Sequence, residues 1–216
     1  MNFAIVIPAQ EINKYHKLGD LASFGDTTLL EWKISQCKEF ASSSQIYISS
    51  DSEIIEDIAQ KEEVNFIKRK KQMSYSQIIK DTLSKVKEEI ILWTNPTSPF
   101  LSSKDYQSMI NKFTDDENIY SIVSVYSKYD YVYYDNKRLN FGKNFSPRNE
   151  LIPIQIVTNG CYMIKKDIAI LNGSLYIENP FLYELDYLSS IEIKDVHTYQ
   201  ISTELISLYF KRDLNV

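Results

Sequence analysis

Short apolar runs alternate with segments of helical period along most of the chain, and that alternation narrows the folds open to it. FAIVIPA, from Phe3 to Ala9, is apolar at nearly every position, as a strand covered on both faces must be. After a polar stretch from Gln10 to Asp26, TTLLEWKISQCKEF carries apolar residues at helical spacing behind a capping box of Thr28 and Glu31. QIYISSD reads as the next strand, and SEIIEDIAQKEE as a helix opened by Ser50 with Glu53. VNFIKR is a third strand, SQIIKDTLSKVKEE a helix, and IILW a strand stopped by two prolines in NPTSPFL. Ser102 with Asp105 caps SSKDYQSMINKF, and IYSIVSVYSK follows as a strand. Strand–helix alternation of this kind predicts an α/β fold with a mainly parallel sheet.

Beyond Ser127 the texture changes. KYDYVYYDNKRLNF is tyrosine-rich with DNKR in its middle, a hairpin pattern. IPIQIVTNGCYMIKK and LSSIEIKDV read as strands, and YQISTELISLYFKR as a final amphipathic helix. No repeat or low-complexity linker divides the chain, so a single domain over 1–216 is expected, with about 128–165 as a small antiparallel excursion.

A net charge of −5 argues against a general nucleic-acid surface, which needs a basic excess. No stretch approaches the roughly 20 apolar residues that span a bilayer. The start MNFAIVIPAQ lacks a basic segment and a small-residue cleavage site, so it is not read as a signal peptide, and the cytoplasm is the expected compartment. Cys37 and Cys161 lack metal-ligand spacing and read as buried free thiols.

Ligands of parallel α/β sheets bind beyond the carboxyl ends of the strands. That rule brings PAQEINKYHKLGD, SSD and NPTSPFL to one rim. Lys14 and Lys17, with backbone N–H groups of their loop, suit a triphosphate, although neither GxxxxGK[ST] nor GxGxxG is present. The cluster Lys68 to Lys71 is either a solvated loop or a second contact with phosphates. Asn95, Thr97 and Ser98 offer amide and hydroxyl groups held by fixed-φ prolines, suited to a sugar or a base. The acids Glu184, Asp186, Glu192 and Asp195 read as solvated surface or as carboxylates for Mg²⁺, with Lys194 among them repelling a cation. No GxSxG is present, and neither His16 nor His197 has a nucleophile beside it in sequence.

Taken in order, IVIPAQ, FGDTTLLEW, SSDSEIIEDIA, FIKRKKQM, ILWTNPTSPFL, SIVSV, PRNELIP and TNGCY resemble the motif series of the acylneuraminate (CMP–sugar acid) cytidylyltransferases, over nearly the whole chain. The resemblance implies a Rossmann-like nucleotidyltransferase sheet and a homodimer. It also implies transfer of CMP from CTP to a sialic, legionaminic or pseudaminic type of sugar acid, with Mg²⁺ and release of pyrophosphate, for cell-surface glycans. Carried over by position, it gives Gln10, Lys14 and Lys17 to the triphosphate, and Ala9, Arg69 and Ser76 to the nucleotide. It gives Asn95, Thr97, Ser98, Arg148, Asn159 and Tyr162 to the sugar acid. Glu192 or Asp195 would hold the metal, unless Lys194 takes the cation's place. The sequence departs from the motifs at Gln10 for arginine, at Asn95 and Glu150 for glutamines, in a loop EINKYHK without glycine, in a compressed NGCY, and at EIK for the metal-holding acids. A catalytically degenerate relative with a binding role, or a transferase with another acceptor, remains the alternative.

Overall fold

The computed structural model describes residues 2–144 and 146–211. In chain order the elements are β1 (Phe3–Pro8), β2 (Ser23–Phe24), β3 (Thr27–Thr28), α1 (Leu29–Lys38), β4 (Ile46–Ser50), α2 (Glu53–Lys61), β5 (Asn65–Lys68), α3 (Tyr75–Leu83) and β6 (Ile90–Thr94). The second half adds α4 (Ser103–Asp115), β7 (Ser121–Lys128), β8 (Tyr133–Tyr134), β9 (Lys137–Arg138), β10 (Ile154–Lys165), α5 (Lys166–Asn172), β11 (Phe181–Glu184) and α6 (Val196–Lys211). Among the described residues the main sheet has seven strands in the order β11-β7-β10-β6-β1-β4-β5. Its pairings are parallel except along β10, which runs antiparallel to both β6 and β7. The fold is α/β with a mostly parallel sheet, as the alternation of strand and helix requires.

Burial on both faces explains the unbroken apolar strands. Ile5 and Ile7 of β1 join one core with Leu30, Ile34, Ile55 and Met109, under α1, α2 and α4. Ala4 and Val6 point the other way and pack with Ile79, Leu83, Trp93 and Ala169, under α3 and α5. From β1 the chain moves outward to β4 and β5, then returns to the other side of β1 as β6. The crevice where strand order reverses therefore opens beyond the ends of β1 and β6, and a ligand is expected there.

The Thr28/Glu31 and Ser102/Asp105 capping boxes form as expected. The α2 cap does not: Ser50 ends β4, and Ser52 caps the helix by accepting from the Ile55 N–H at 3.3 Å. β8 and β9 pair as a hairpin, with positive φ at Asp135 and Asn136, as a tight two-residue turn requires. LSSIEIKDV forms no strand. The Ile193 N–H donates to the Thr97 carbonyl instead (2.8 Å), and the sheet edge is completed by β11, parallel to β7. Cys37 and Cys161 are buried free thiols.

Candidate active site

The loop after β1 is built around one buried acid that the sequence reading did not single out. Asp20 accepts from the Gln10 N–H (2.7 Å) and the Tyr15 hydroxyl (2.5 Å), while its own N–H returns to the Gln10 carbonyl (2.8 Å). Asn13 Oδ1 accepts from the N–H groups of Tyr15 and His16. Tyr199 of α6 closes the far side, its ring beside Tyr15 and His16 and its hydroxyl donating to the Ser23 carbonyl at 2.6 Å. Most of the loop amides are thus engaged within the protein. Lys14 lines the cleft, whereas Lys17 is exposed and is not among the residues lining it.

Burial pushes the Asp20 carboxyl up from 3.8 to about 6, against the lowering effect of the Tyr15 and Gln10 hydrogen bonds and the Arg69 charge. An acid with a raised folded pKa binds more protons when folded than when unfolded. Its contribution to stability therefore falls as pH rises from about 4 to about 6, by about 3 kcal/mol. Urea unfolding of the protein and of Asp20→Asn across pH 4 to 7 is expected to show that difference in slope, with the variant losing less as pH rises. Parallel curves would refute it.

Arg69 follows β5, yet its side chain reaches across the strand ends to donate to the Ala9 carbonyl at 2.8 Å. It is 7% exposed and faces two adjoining cavities. Burial lowers its pKa, and Asp51 and Asp20 oppose that effect. One cavity, about 440 Å³, is lined by Gln10, Glu11, Asp51, Ser52 and the run Arg69–Met73. The other, about 370 Å³, is lined by Gln10, Lys14, Tyr15, Asp20, Arg69, Asn95, Thr97 and Glu192. Ser76 lies elsewhere, its Oγ against Gly173 where α3 meets α5.

NPTSP is held from below by α1. Trp32 Nε1 donates to the Pro99 carbonyl (2.8 Å), Lys33 Nζ to that of Ser98 (2.8 Å), and Gln36 Nε2 to those of Pro99 and Leu101 (2.9 and 2.7 Å). This turn leaves Asn95 and Thr97 on the cleft. Ser98 is turned inward instead, 1% exposed, with its hydroxyl lacking a hydrogen-bond partner.

The irregularity in β10, where register shifts between Val157 and Tyr162, meets two lining residues of the cleft, Asn95 and Glu192. Asn159 there accepts Asn95 Nδ2 on its carbonyl (2.7 Å) and the Tyr162 hydroxyl on Oδ1 (2.6 Å), and its Nδ2 donates to Glu192 Oε1. Asn95, Asn159, Tyr162 and Glu192 thus meet in one polar network. Arg148 does not join it: its guanidinium pairs with Asp130 (2.9 Å) over the Tyr131 ring on the excursion, with Glu150 exposed nearby in sequence.

The carboxylates expected for Mg²⁺, Glu192 and Asp195, each have partners within the protein. Glu192 Oε1 accepts from the Asn159 amide, while Oε2 is buried without a hydrogen bond, with the Lys194 Nζ 3.1 Å away as an ion pair. Asp195 caps α6 by accepting from the Thr198 N–H at 2.8 Å. Among the described residues no group of three or more His, Cys, Asp or Glu side chains is arranged to hold a metal ion. No described helix is long and apolar enough to cross a membrane.

Among solved structures, a CMP:2-keto-3-deoxy-manno-octonic acid synthetase complexed with CTP matches over 96% of this chain and 99% of its own, at 13% identity and TM-score 0.74. The 4-diphosphocytidyl-2C-methyl-D-erythritol synthase of Anaerococcus prevotii matches over 95% and 98%, at 14% identity and TM-score 0.70. A cytidylyltransferase of Leptospira borgpetersenii matches over 96% and 87%, at 16% identity and TM-score 0.64. At such identities these likenesses speak for the fold alone. A search of curated proteins by sequence found no match. The family model described as cytidylyltransferase matches residues 18–205, beginning just after the Lys14 and Lys17 loop. That match spans most of the chain, including Asp20, Arg69, the rim loop and Glu192 of the cleft, and the chain belongs to the cytidylyltransferase family of nucleotidyltransferases.

Proposed function

We propose that this cytidylyltransferase moves CMP from CTP onto a hydroxyl of a sugar acid, with release of pyrophosphate. The supporting observation is the pair of adjoining cavities that share Gln10, Arg69 and Ile78 at the strand switch point. The cavity along Arg69–Met73 takes the nucleotide, and the one between Lys14, Asn95 and Thr97 takes the phosphates and the acceptor. The acceptor oxygen attacks the α-phosphorus in line and gives up its proton to water, a bond to that oxygen forms, and the bond to the pyrophosphate oxygen breaks, so that pyrophosphate leaves with the electron pair. The chain's share is positioning and charge: Lys14 and Arg69 face the phosphates, while Asn95, Thr97 and Asn159 orient acceptor hydroxyls. Ala9 contributes through its carbonyl, which fixes the Arg69 guanidinium. Self-association through the aromatic excursion, where Tyr133 and Tyr134 are exposed, belongs to the same proposal.

A second reading has a specific motive. Glu192 lines the cleft while Arg148 stands outside it, a charge pattern better suited to an acceptor without a carboxylate at that wall. Pyrophosphate release with CTP and Mg²⁺ distinguishes the two. N-acetylneuraminic acid and 3-deoxy-manno-octulosonic acid test the first reading, and 2-C-methyl-D-erythritol 4-phosphate tests the second. Release with an acid, falling at least tenfold in Lys14→Ala, is expected. Release with the polyol phosphate alone would replace the sugar acid by a phosphorylated acceptor that has no carboxylate.

A further inference from the structure

Lys33 lies mid-way along α1, 0% exposed, beneath the rim loop rather than in the cleft. Its ammonium donates to the Ser98 carbonyl (2.8 Å) and to the Tyr106 hydroxyl (2.9 Å). The Tyr106 and Thr94 hydroxyls are 2.7 Å apart, and Thr94 Oγ1 donates to the Gly160 carbonyl at 2.7 Å. These contacts fix the polarity of the whole chain. A carbonyl can only accept, so the Thr94 proton goes to Gly160, and Thr94 must accept from Tyr106. Tyr106 in turn must accept from Lys33, and a second of the three ammonium donors serves Ser98.

The two ends of this chain are the two walls of the acceptor end. Ser98 belongs to the rim loop that presents Asn95 and Thr97, and Gly160 follows Asn159. On the cleft side the walls are joined by Asn95 Nδ2 to the Asn159 carbonyl. On the buried side they are joined through Lys33, Tyr106 and Thr94. We infer that Lys33 is a positioning residue, setting the spacing of the Asn95–Thr97 wall against the Asn159 wall and thereby acceptor binding, without touching the nucleotide. This rests on the reading that the acceptor lies between those walls.

A buried ammonium is a poor device for stability, since desolvation offsets what its hydrogen bonds return. Burial lowers the Lys33 pKa to about 8, with Cys37, Cys161 and Asp105 opposing. An apolar residue would cover the same ground, so the lysine is best accounted for by the geometry its donors impose.

The test uses the full chain with Lys33→Met, which removes both donations, and Tyr106→Phe, which cuts the chain but leaves the bond to Ser98. The measurements are amide hydrogen exchange, and KM for CTP and for N-acetylneuraminic acid in pyrophosphate release. Both variants are expected to speed exchange at Thr97 and Ser98 together with Asn159 and Gly160, at least tenfold. They should raise KM for the acid at least tenfold while KM for CTP stays within twofold. Unchanged exchange at either wall overturns the inference, and so does an equal rise in both KM values, which a general loss of structure would give. Should Lys33→Met fail to fold, Tyr106→Phe and Thr94→Val decide the matter. Should the wild type turn over neither sugar acid nor the polyol phosphate, the acceptor reading fails on its own, and the exchange measurement still judges the tie between the walls.

Discussion

Replacing Arg69 by methionine is expected to lower kcat/KM for CTP by about 100-fold or more and to abolish thermal stabilisation by CTP. Its guanidinium is the one cation that is both buried and shared by the two cavities among the described residues. The Ala9 carbonyl takes one of its donors, and its backbone N–H is fixed to the Ser50 carbonyl at 2.8 Å. The remaining donors of a planar fork suit phosphate or base oxygens. Loss of one partner from a buried charged contact costs about 3–5 kcal/mol, and each 1.36 kcal/mol is about tenfold, which sets the scale. Methionine keeps the length and apolar packing while removing the charge. A CTP KM within threefold of wild type would show that Arg69 is only a strut between β5 and β1.

Gly19→Ala is expected to cost about 3 kcal/mol or more in urea unfolding and to remove CTP binding with it. Gly19 has φ +50°, and a Cβ there would stand 2.3 Å from the Gln10 carbonyl oxygen and 2.6 Å from the Glu11 carbonyl carbon. Left-handed backbone alone costs an L-residue about 1–2 kcal/mol, and the remainder comes from backbone that has to move. Moving it separates Asp20 from the Gln10 N–H and the Tyr15 hydroxyl, the bonds that shape the loop. Gly25 is the internal control: its φ is +61°, yet a Cβ would meet nothing within 4 Å. Gly25→Ala should cost only the conformational part, about 1–2 kcal/mol, and spare CTP binding. Equal losses in the two variants would rule out the close approach as the cause.

The legible parts of this protein are those whose signal is local. Thr28 with Glu31 and Ser102 with Asp105 cap their helices because a cap joins residues three apart. The same logic slipped at Ser50, because Ser50 and Ser52 each precede a plausible helix start and only the end of β4 chooses between them. LSSIEIKDV alternates like a strand, yet among the described residues it pairs with no strand, and the Ile193 N–H goes to the rim loop at Thr97 instead. β11 and α5 are four and seven residues long and carry too little periodicity to stand out.

For the site, NPTSPFL was placed correctly at the rim, but the sequence could not divide its hydroxyls. Thr97 faces the cleft, and Ser98 is turned into the protein by the α1 donors beneath it. Arg148 and Ser76 carry suitable chemistry in a suitable order, and the fold sets them against Asp130 and Gly173 instead. Asp20 and Lys33 gave no signal at all, since a lone acid in a polar loop and a lone lysine in a helix normally face water.

Amino-acid order by itself determined the strand–helix alternation, the burial of β1 on both faces and the rim where a ligand is expected. Those follow from hydrophobic period and from the geometry of parallel crossovers. Only the tertiary structure decided which polar side chains meet. Arg69 joins Ala9 across 60 positions of sequence, and Asn159 joins Glu192 across 33. Such pairings depend on how separate elements cross, and no local period encodes them.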